Sequence, residues 1–427
     1  MTTLREIFTA LAPEYLERYP HLPAAHRQVL SAIQQCQSGA YGHSLSQCQD
    51  GGEQHRVQHS CGNRHCPQCQ QPTTHQWLQH HLDTQLPGPH FLLTFTVPET
   101  LRPFLRSHQR LAYQAMLHAS ATALKRLATD ERFIGTTLPG FTGVLHTWGR
   151  QLQYHPHMHS MVPGGGLSTD RTTWRPSRAH FFVPVTALSP ISRALCTEDM
   201  RHAGLLEQSD PQVWTIPWNV HSQANHHGHS AFTSLAPSVF KVAITNRRLV
   251  ALTDRTVTFT SRQVGSARLR TAHLDGMEFL RRFLQHVLPD GLQKVRHVGF
   301  LHASCAMSPA TIRLMMVQGH PSEDQPPPRK PPLPRVARCP TCGAPMGVVD
   351  ASLDLPQGLC RYRLSGMAWA LTLVLRYGVA HARHPCAHKP TSGHTRWLMP
   401  GTPPPSRVSQ TPLGAPLMPP WSGLPPA

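Results

Sequence analysis

Thiol and imidazole side chains concentrate in one short stretch of this 427-residue sequence. The run Cys61-Gly-Asn-Arg-His65-Cys66-Pro-Gln-Cys69 follows two earlier cysteines, Cys36 and Cys48. Thiolate and imidazole are the preferred ligands of tetrahedral Zn²⁺. The sequence therefore predicts structural zinc, and the expected N-terminal ligands are Cys36, Cys48, Cys61, His65, Cys66 and Cys69. A catalytic zinc is disfavoured, because no acidic residue lies within the run to act as a general base.

A second C-x-x-C pair, Cys339-Pro-Thr-Cys342, lies towards the C-terminus and is half of a further zinc site. Cys360 and Cys386 could complete that site, although their spacing is irregular. The 11 cysteines are odd in number and several are grouped in C-x-x-C pairs. This pattern favours metal binding over disulfide bonds.

A histidine pair stands in the run Tyr154-His155-Pro156-His157-Met158-His159. On the predicted strand, His157 and His159 share one face and Met158 faces the core. Two neutral imidazoles so placed can hold a divalent ion against a phosphate oxygen. The spacing alone is weak evidence, because the chain has 31 histidines and repeats the pattern at His227-Gly-His229. The latter lies in a polar segment and is interpreted as surface.

The charge balance favours a polyanionic partner such as a nucleic acid. There are 40 Lys and Arg against 22 Asp and Glu, which gives a net charge of +18. Only 15% of the residues are charged, against about 25% in ordinary domains, so the excess arises from scarce acids. A merely basic protein is the alternative interpretation. The candidate phosphate contacts are Arg64, Lys241, Arg247 and Arg248.

Hydrophobic periodicity predicts an α+β fold with a central antiparallel sheet and flanking helices. Leu4, Ile7, Phe8 and Leu11 mark the apolar face of a first helix. The other predicted helices are Val29–Ile33, Leu105–Leu127 and Leu274–Leu288. The predicted strands are His90–Val97, Phe141–Trp148, His157–Val162, Val239–Ile244 and Thr256–Thr260.

The C-terminal quarter is predicted to be linker and disordered tail. Of the 42 prolines, 22 lie from Pro321 onward, and Pro326–Pro334 is typical of a polyproline linker. The apolar stretch Leu364–Leu375 is shorter than the roughly 20 residues that a bilayer requires. The N-terminus lacks a secretory pattern. We therefore expect a soluble, cytoplasmic protein without membrane contact.

Several motifs together resemble the bacterial rolling-circle insertion-sequence transposases. The run from Gly143 to His159, continued by Pro163-Gly-Gly-Gly166, resembles their histidine-hydrophobe-histidine (HUH) block. The Cys61–Cys69 stretch resembles their zinc-binding domain, and Val242–Arg248 resembles the strand after their catalytic tyrosine helix. Arg296–Leu301 and Cys339–Gly343 also fit, so the resemblance covers residues 25 to 345 approximately.

The resemblance implies a nuclease that nicks one DNA strand with a tyrosine and forms a 5′-phosphotyrosine. It further implies Mg²⁺ or Mn²⁺ held by His157 and His159. His146, on the neighbouring predicted strand, is a candidate for the third ligand. The expected substrates are single-stranded or hairpin ends of the element, and the expected location is the bacterial nucleoid. In this chemistry a phenol, whose pKa is about 10, attacks a phosphodiester that the metal ion polarises.

The chain departs from this family at the nucleophile. Ser234 and Ser238 stand where the family has tyrosines, and Pro237 between them would kink the helix that carries them. The expected catalytic positions are therefore predicted to be inactive. Tyr15 and Tyr19 have the same four-residue spacing, but they precede the zinc run and are expected to pack in a helix. Gly51 stands where the family has a cysteine that pairs with Cys48.

Three functional hypotheses follow. The first is a rolling-circle transposase with impaired nicking, and the second is a non-catalytic, zinc-containing DNA-binding protein that competes with an intact transposase. The third, a replication initiator or relaxase, shares the histidine chemistry but fits the zinc run poorly. The predicted domains are a helical segment and zinc-binding domain (1–85), an HUH-type nuclease domain (86–310), a Pro-rich linker (311–338) and a tail with the C-x-x-C half-site (339–427).

Overall fold

The computed structural model describes residues 2–225, 243–262, 268–319, 338–353 and 362–364. The predicted linker Pro326–Pro334 and the tail beyond residue 364 lie outside these residues. The α-helices of the described residues are α1 (Leu4–Arg18), α2 (Ala24–Gln34), α3 (Pro67–Thr84), α4 (Arg102–Ser107), α5 (Gln109–Thr129), α6 (Val185–His202), α7 (Gly276–Leu284) and α8 (Pro309–Gly319).

The strands of the described residues form four antiparallel sheets. They are β1 (His43–Cys48), β2 (Gln54–Gln58), β3 (His90–Thr96), β4 (Leu138–Pro139), β5 (Phe141–Trp148), β6 (Tyr154–Pro163), β7 (Gly165–Leu167), β8 (Trp174–Pro176), β9 (Asn219–Asn225), β10 (Leu249–Thr253), β11 (Thr256–Arg262), β12 (Leu269–Asp275), β13 (Val295–Val298), β14 (Met346–Leu353) and β15 (Tyr362–Leu364). The predicted α+β class is confirmed.

The first helix forms as its sequence predicts. The Thr3 side chain accepts a hydrogen bond from the Glu6 backbone N–H, and the Glu6 carboxylate accepts one from the Thr3 N–H. This capping box satisfies two backbone donors at the start of the helix. The predicted apolar face is buried, from Leu4 to Leu11 and on to Tyr15. It packs with α2, α7 and the sheet of β10, β11 and β12 in one hydrophobic core.

The central sheet has the strand order β13-β5-β6-β3-β9. Alternation along β3 divides its side chains between the two faces. Phe91, Leu93 and Phe95 enter the main core, which α5 and α6 cover. Leu92 lies on the opposite face and packs with Trp77 of α3. Since α3 covers only part of this second face, the remainder is available to polar residues.

Several elements differ from their predicted bounds, and three of the differences have a clear physical or positional reason. The predicted helix Leu105–Leu127 is interrupted at His108, whose φ of −118° and ψ of 38° are not helical, so that α4 and α5 are separate. The predicted helix at Leu274 begins two residues later, because Leu274 still pairs with Val257 in the sheet and the Asp275 carboxylate caps α7. Most of the predicted strand Val239–Ile244 lies outside the described residues, and its last two residues form a bend.

A small sheet joins the two ends of the described chain, in the order β15-β14-β1-β2. The strand β14 pairs antiparallel with β1, and Cys48 lies opposite Met346. The segment after the C-x-x-C pair therefore returns to the N-terminal hairpin. The four domain boundaries given above stay a prediction. Within the described residues, none of the helices combines the length and apolar character needed to cross a membrane.

Candidate active site and metal centres

Three imidazoles meet on the second face of the central sheet. His157 and His159 lie on β6, and His146 lies on β5 directly opposite His157. Their ring centroids are 4.7 to 5.2 Å apart, and one nitrogen of each ring lies within 4.8 Å of the others. Met158 points the other way into the main core. The strand alternation thus presents three nitrogens that could hold one divalent ion.

Hydrogen bonds orient two of these rings. The Nδ1 of His157 lies 2.7 Å from the His155 carbonyl oxygen. Because a carbonyl can only accept, Nδ1–H is the donor and the Nε2 lone pair is left for a metal. The Nδ1 of His159 lies 3.0 Å from the Thr94 hydroxyl on the neighbouring strand. A partner of this kind fixes the orientation of a metal-binding imidazole.

Burial keeps the predicted ligand pair neutral. It lowers the pKa of His157 from 6.5 to about 4 and that of His159 to about 3, because the imidazolium is poorly solvated there. The imidazole is thus unprotonated at neutral pH, and the neutral ring is the form that binds metal.

The open part of this sheet face continues towards the edge strand β9. Thr94 of β3 pairs with His159 on one side and with His221 of β9 on the other. His221 and Gln223 are exposed on β9. The sequence alone did not identify His221. It lines up with His159 only through the register of β6, β3 and β9.

Four cysteine sulfurs form a second cluster, where α2 ends and α3 begins. They belong to Cys36, Cys61, Cys66 and Cys69 and lie within 4.8 Å of one another. The Sγ–Sγ distances are 3.8 Å for Cys36–Cys69, 3.5 Å for Cys61–Cys69 and 3.6 Å for Cys36–Cys66. Zn–S bonds of about 2.3 Å in a tetrahedron place sulfurs about 3.8 Å apart. The donor set and its spacing therefore fit structural Zn²⁺.

Two residues that the sequence grouped with these cysteines lie elsewhere. The Nε2 of His65 accepts a hydrogen bond from the Leu288 backbone N–H at 3.4 Å, and burial lowers the pKa of His65 to about 3. His65 does not belong to the group of four sulfurs. Cys48 belongs to a different group with Cys339 and Cys342. The other proposed partners of that pair, Cys360 and Cys386, lie outside the described residues.

The expected nucleophile positions, Ser234 and Ser238, also lie outside the described residues. Tyr154 is close to the histidines in sequence, but it faces the core side of β6 and its hydroxyl lies 2.7 Å from that of Tyr113. Burial raises the pKa of Tyr154 to about 12. Tyr15 is buried on α1, as expected from its helical spacing. Neither phenol is presented to the histidine cluster.

The predicted phosphate contacts differ in their surroundings. Arg64 donates to the carbonyl oxygens of Leu288, Pro289 and Leu292 at 2.7 to 2.9 Å. Arg248 donates to the carbonyl oxygens of Arg150 and Thr260. A DNA contact by either guanidinium would compete with these bonds. Arg247 is exposed, and Lys241 lies outside the described residues.

Comparison with known proteins now identifies the class. Residues 140–308, which contain the three histidines, match the family profile described as "Putative transposase". Residues 7–97, which contain the four-cysteine cluster, match the profile "Transposase zinc-binding domain".

Two curated relatives agree with these profiles. The chain is 33% identical to "Putative transposase y4qJ" of Sinorhizobium fredii over 69% of this chain and 79% of the relative. It is 28% identical to "Transposase for insertion sequence element IS801" of Pseudomonas savastanoi pv. phaseolicola, over 57% of this chain and 61% of that relative. No solved structure gives a significant match. The chain belongs to the rolling-circle insertion-sequence transposase family and carries its zinc-binding domain.

Proposed function

We propose that this chain binds one DNA strand at the end of an insertion sequence, across the open face of the central sheet. The cluster of His146, His157 and His159 carries this proposal, because it brings three imidazoles within metal-binding distance of one another inside the matched transposase region. A Mg²⁺ or Mn²⁺ ion held there would neutralise negative charge on a phosphate oxygen. The imidazoles position the ion, and Thr94 and the His155 carbonyl hold two of the rings in place.

The net charge and the edge strand support a nucleic-acid partner. The chain carries a charge of +18, which attracts a phosphate backbone. The exposed side chains of β9 continue the histidine face to the edge of the sheet. The exposed Arg247 offers a positive charge. Single-stranded or hairpin DNA fits this proposal because its backbone and bases can follow one face of a sheet.

We further propose that nicking is impaired in this chain. A serine hydroxyl is a far weaker acid than a phenol, whose pKa is about 10. No dedicated base for Ser234 or Ser238 is evident from the sequence, and Tyr154 is bonded to Tyr113 in the core. The chain would therefore retain its substrate without cutting it.

Incubation with a labelled single strand from the element end, in Mn²⁺, tests this proposal. We expect a salt-sensitive shift in a native gel and no slowly migrating species in a denaturing gel. A covalent adduct would show that a nucleophile survives, and mass spectrometry would identify the attached residue. Absence of binding at low salt would overturn the DNA-binding proposal itself.

A second candidate function is inhibition of an intact transposase by competition for the same DNA. The serines at both expected tyrosine positions favour it, because such a chain would occupy the element end unproductively. Addition of this protein to an active relative should lower the yield of nicked DNA, and excess substrate should reverse the effect. Unchanged nicking at saturating protein would exclude competition.

A further inference from the structure

We infer that Cys48, His55, Cys339 and Cys342 form a second zinc site, which fastens the C-terminal C-x-x-C pair to the N-terminal hairpin of β1 and β2. Cys48 ends β1 and His55 lies on β2. Cys48 and Cys342 are 294 residues apart in sequence, yet their sulfurs are 3.4 Å apart. The inference does not depend on DNA binding or nicking.

The three sulfurs lie close enough together to bind one tetrahedral ion. The sulfurs of Cys48, Cys339 and Cys342 lie within 4.8 Å of one another. The Nε2 of His55 lies 3.5 Å from the Cys339 Sγ. Within 4.8 Å it groups with Cys339 and Glu53 and not with all three sulfurs, so the His55 side chain must rotate towards the other two sulfurs to complete the site. A zinc ion with Zn–S bonds of about 2.3 Å and Zn–N bonds of about 2.0–2.1 Å separates neighbouring sulfur and nitrogen ligands by about 3.6 Å. Three thiolates and one imidazole are a common ligand set of structural zinc.

His55 is favoured over Glu53 as the fourth ligand. The Glu53 carboxylate is 3.9 Å from the Cys339 Sγ and 3.6 Å from the His55 Nε2, so both side chains approach the same sulfur. The Glu53 side chain is 49% exposed, whereas that of His55 is 22% exposed. Three thiolates already outweigh the two positive charges of zinc, and a neutral imidazole adds no further negative charge.

The surrounding backbone brings the ligands of this site together and donates a hydrogen bond to one of them. β14 follows the C-x-x-C pair and joins β1 through a six-residue antiparallel register that ends at Cys48. The Gly51 N–H donates to the Cys48 Sγ at 3.4 Å, as backbone donors do to zinc-bound thiolates. An ion at this point joins residues that are 294 positions apart in the sequence, and closing so long a loop restricts the unfolded state.

Zinc content of the purified full chain tests the inference by mass spectrometry of the metal. We expect two zinc ions per chain, one in the Cys36 group and one here. Cys342→Ser and His55→Ala should each reduce the content to one ion. The matched controls are Glu53→Gln, on the same hairpin, and Cys305→Ser, a cysteine outside the clusters; both should keep two ions. Two ions in His55→Ala, or one ion in Glu53→Gln or in the unaltered chain, would overturn the proposed ligand set.

A rescue variant separates loss of a ligand from misfolding. A Cβ at Gly51 would lie 3.9 Å from the Cys48 Sγ and would meet no closer atom. A cysteine introduced there can therefore reach the ion. We expect the double variant His55→Ala with Gly51→Cys to bind two zinc ions again, and its Co²⁺ form to show stronger thiolate charge-transfer absorption than the unaltered chain. Failure to regain the second ion, with the first ion retained as evidence of folding, would contradict this location.

Discussion

The cluster of Cys36, Cys61, Cys66 and Cys69 and the cluster of His146, His157 and His159 differ in the structural elements that position their side chains. Three of the four cysteines lie within nine residues, so local backbone turns bring their sulfurs together. The three histidines instead depend on the pairing of β5 with β6, and Met158 anchors that sheet from the other side. We conclude that the cysteine cluster is positioned by local turns, whereas the histidine cluster is positioned by the sheet and the core beneath it.

Removal of a cysteine ligand should give the largest effect. Cys66 is 1% exposed and belongs to the core that includes α1 and α7. Cys66→Ser should release one zinc ion and destabilise this region, because about 10 kcal/mol or more of apparent zinc-binding free energy is coupled to folding in small zinc domains. Thermal unfolding and zinc content measure both losses, with Cys305→Ser as the control. Unchanged zinc content would refute the ligand assignment.

Truncation of Met158, on the core side of the histidine strand, should lower the free energy of unfolding by an intermediate amount. Met158 is 1% exposed, so Met158→Ala leaves a cavity in the main core. The free energy of unfolding in urea should fall by about 2–5 kcal/mol. Leu269→Ala, at a side chain that is 63% exposed, should change it by about 0.5 kcal/mol or less. Zinc content should be unaltered in both variants, and its loss in Met158→Ala would show that the two regions are not independent.

These regions also differ in how much the sequence reveals. The alternation of His157, Met158 and His159 predicted one face of β6 because the period of a strand is fixed. Sequence spacing suggested His146 only as a candidate, since the β5–β6 register brings it opposite His157. His65 was assigned to the cysteines by proximity in sequence, but its side chain turns to Leu288. No local spacing could show that Cys48 meets Cys342.

Loss of a histidine ligand should affect metal binding more than folding. His146→Ala should abolish or strongly weaken Mn²⁺ binding, which paramagnetic resonance titration measures, because one of three imidazoles is removed. The matched control His221→Ala lies on the same face, 2 strands from β6 in the sheet order, and should bind Mn²⁺ normally. Equal Mn²⁺ affinity in His146→Ala would exclude it as a ligand.

The burial of two histidines also predicts a pH dependence of stability. Burial lowers the pKa of His157 from 6.5 to about 4 and that of His159 from 6.5 to about 3 in the folded chain. The unfolded chain therefore binds more protons in this window, so the free energy of unfolding falls as the pH falls from 6.5 through 4. Urea unfolding of the zinc-containing protein, measured without Mg²⁺ or Mn²⁺, should show a smaller fall of this free energy in the double variant His157→Ala with His159→Ala. If the free energy of unfolding varied with pH equally in the double variant, burial of these two rings would not be the cause of the pH dependence.

The most direct measurement uses a variant that carries tyrosine at the two expected nucleophile positions. Ser234→Tyr and Ser238→Tyr, combined with Pro237→Arg, should produce a covalent protein–DNA adduct on the labelled element strand in Mn²⁺. The same variant with His157→Ala and His159→Ala should bind DNA and form no adduct. This pair of results would show that the histidine face is a sound nuclease site lacking only its nucleophile. Undiminished adduct without the two histidines would contradict their role, and no adduct in the tyrosine variant would contradict the intactness of the site.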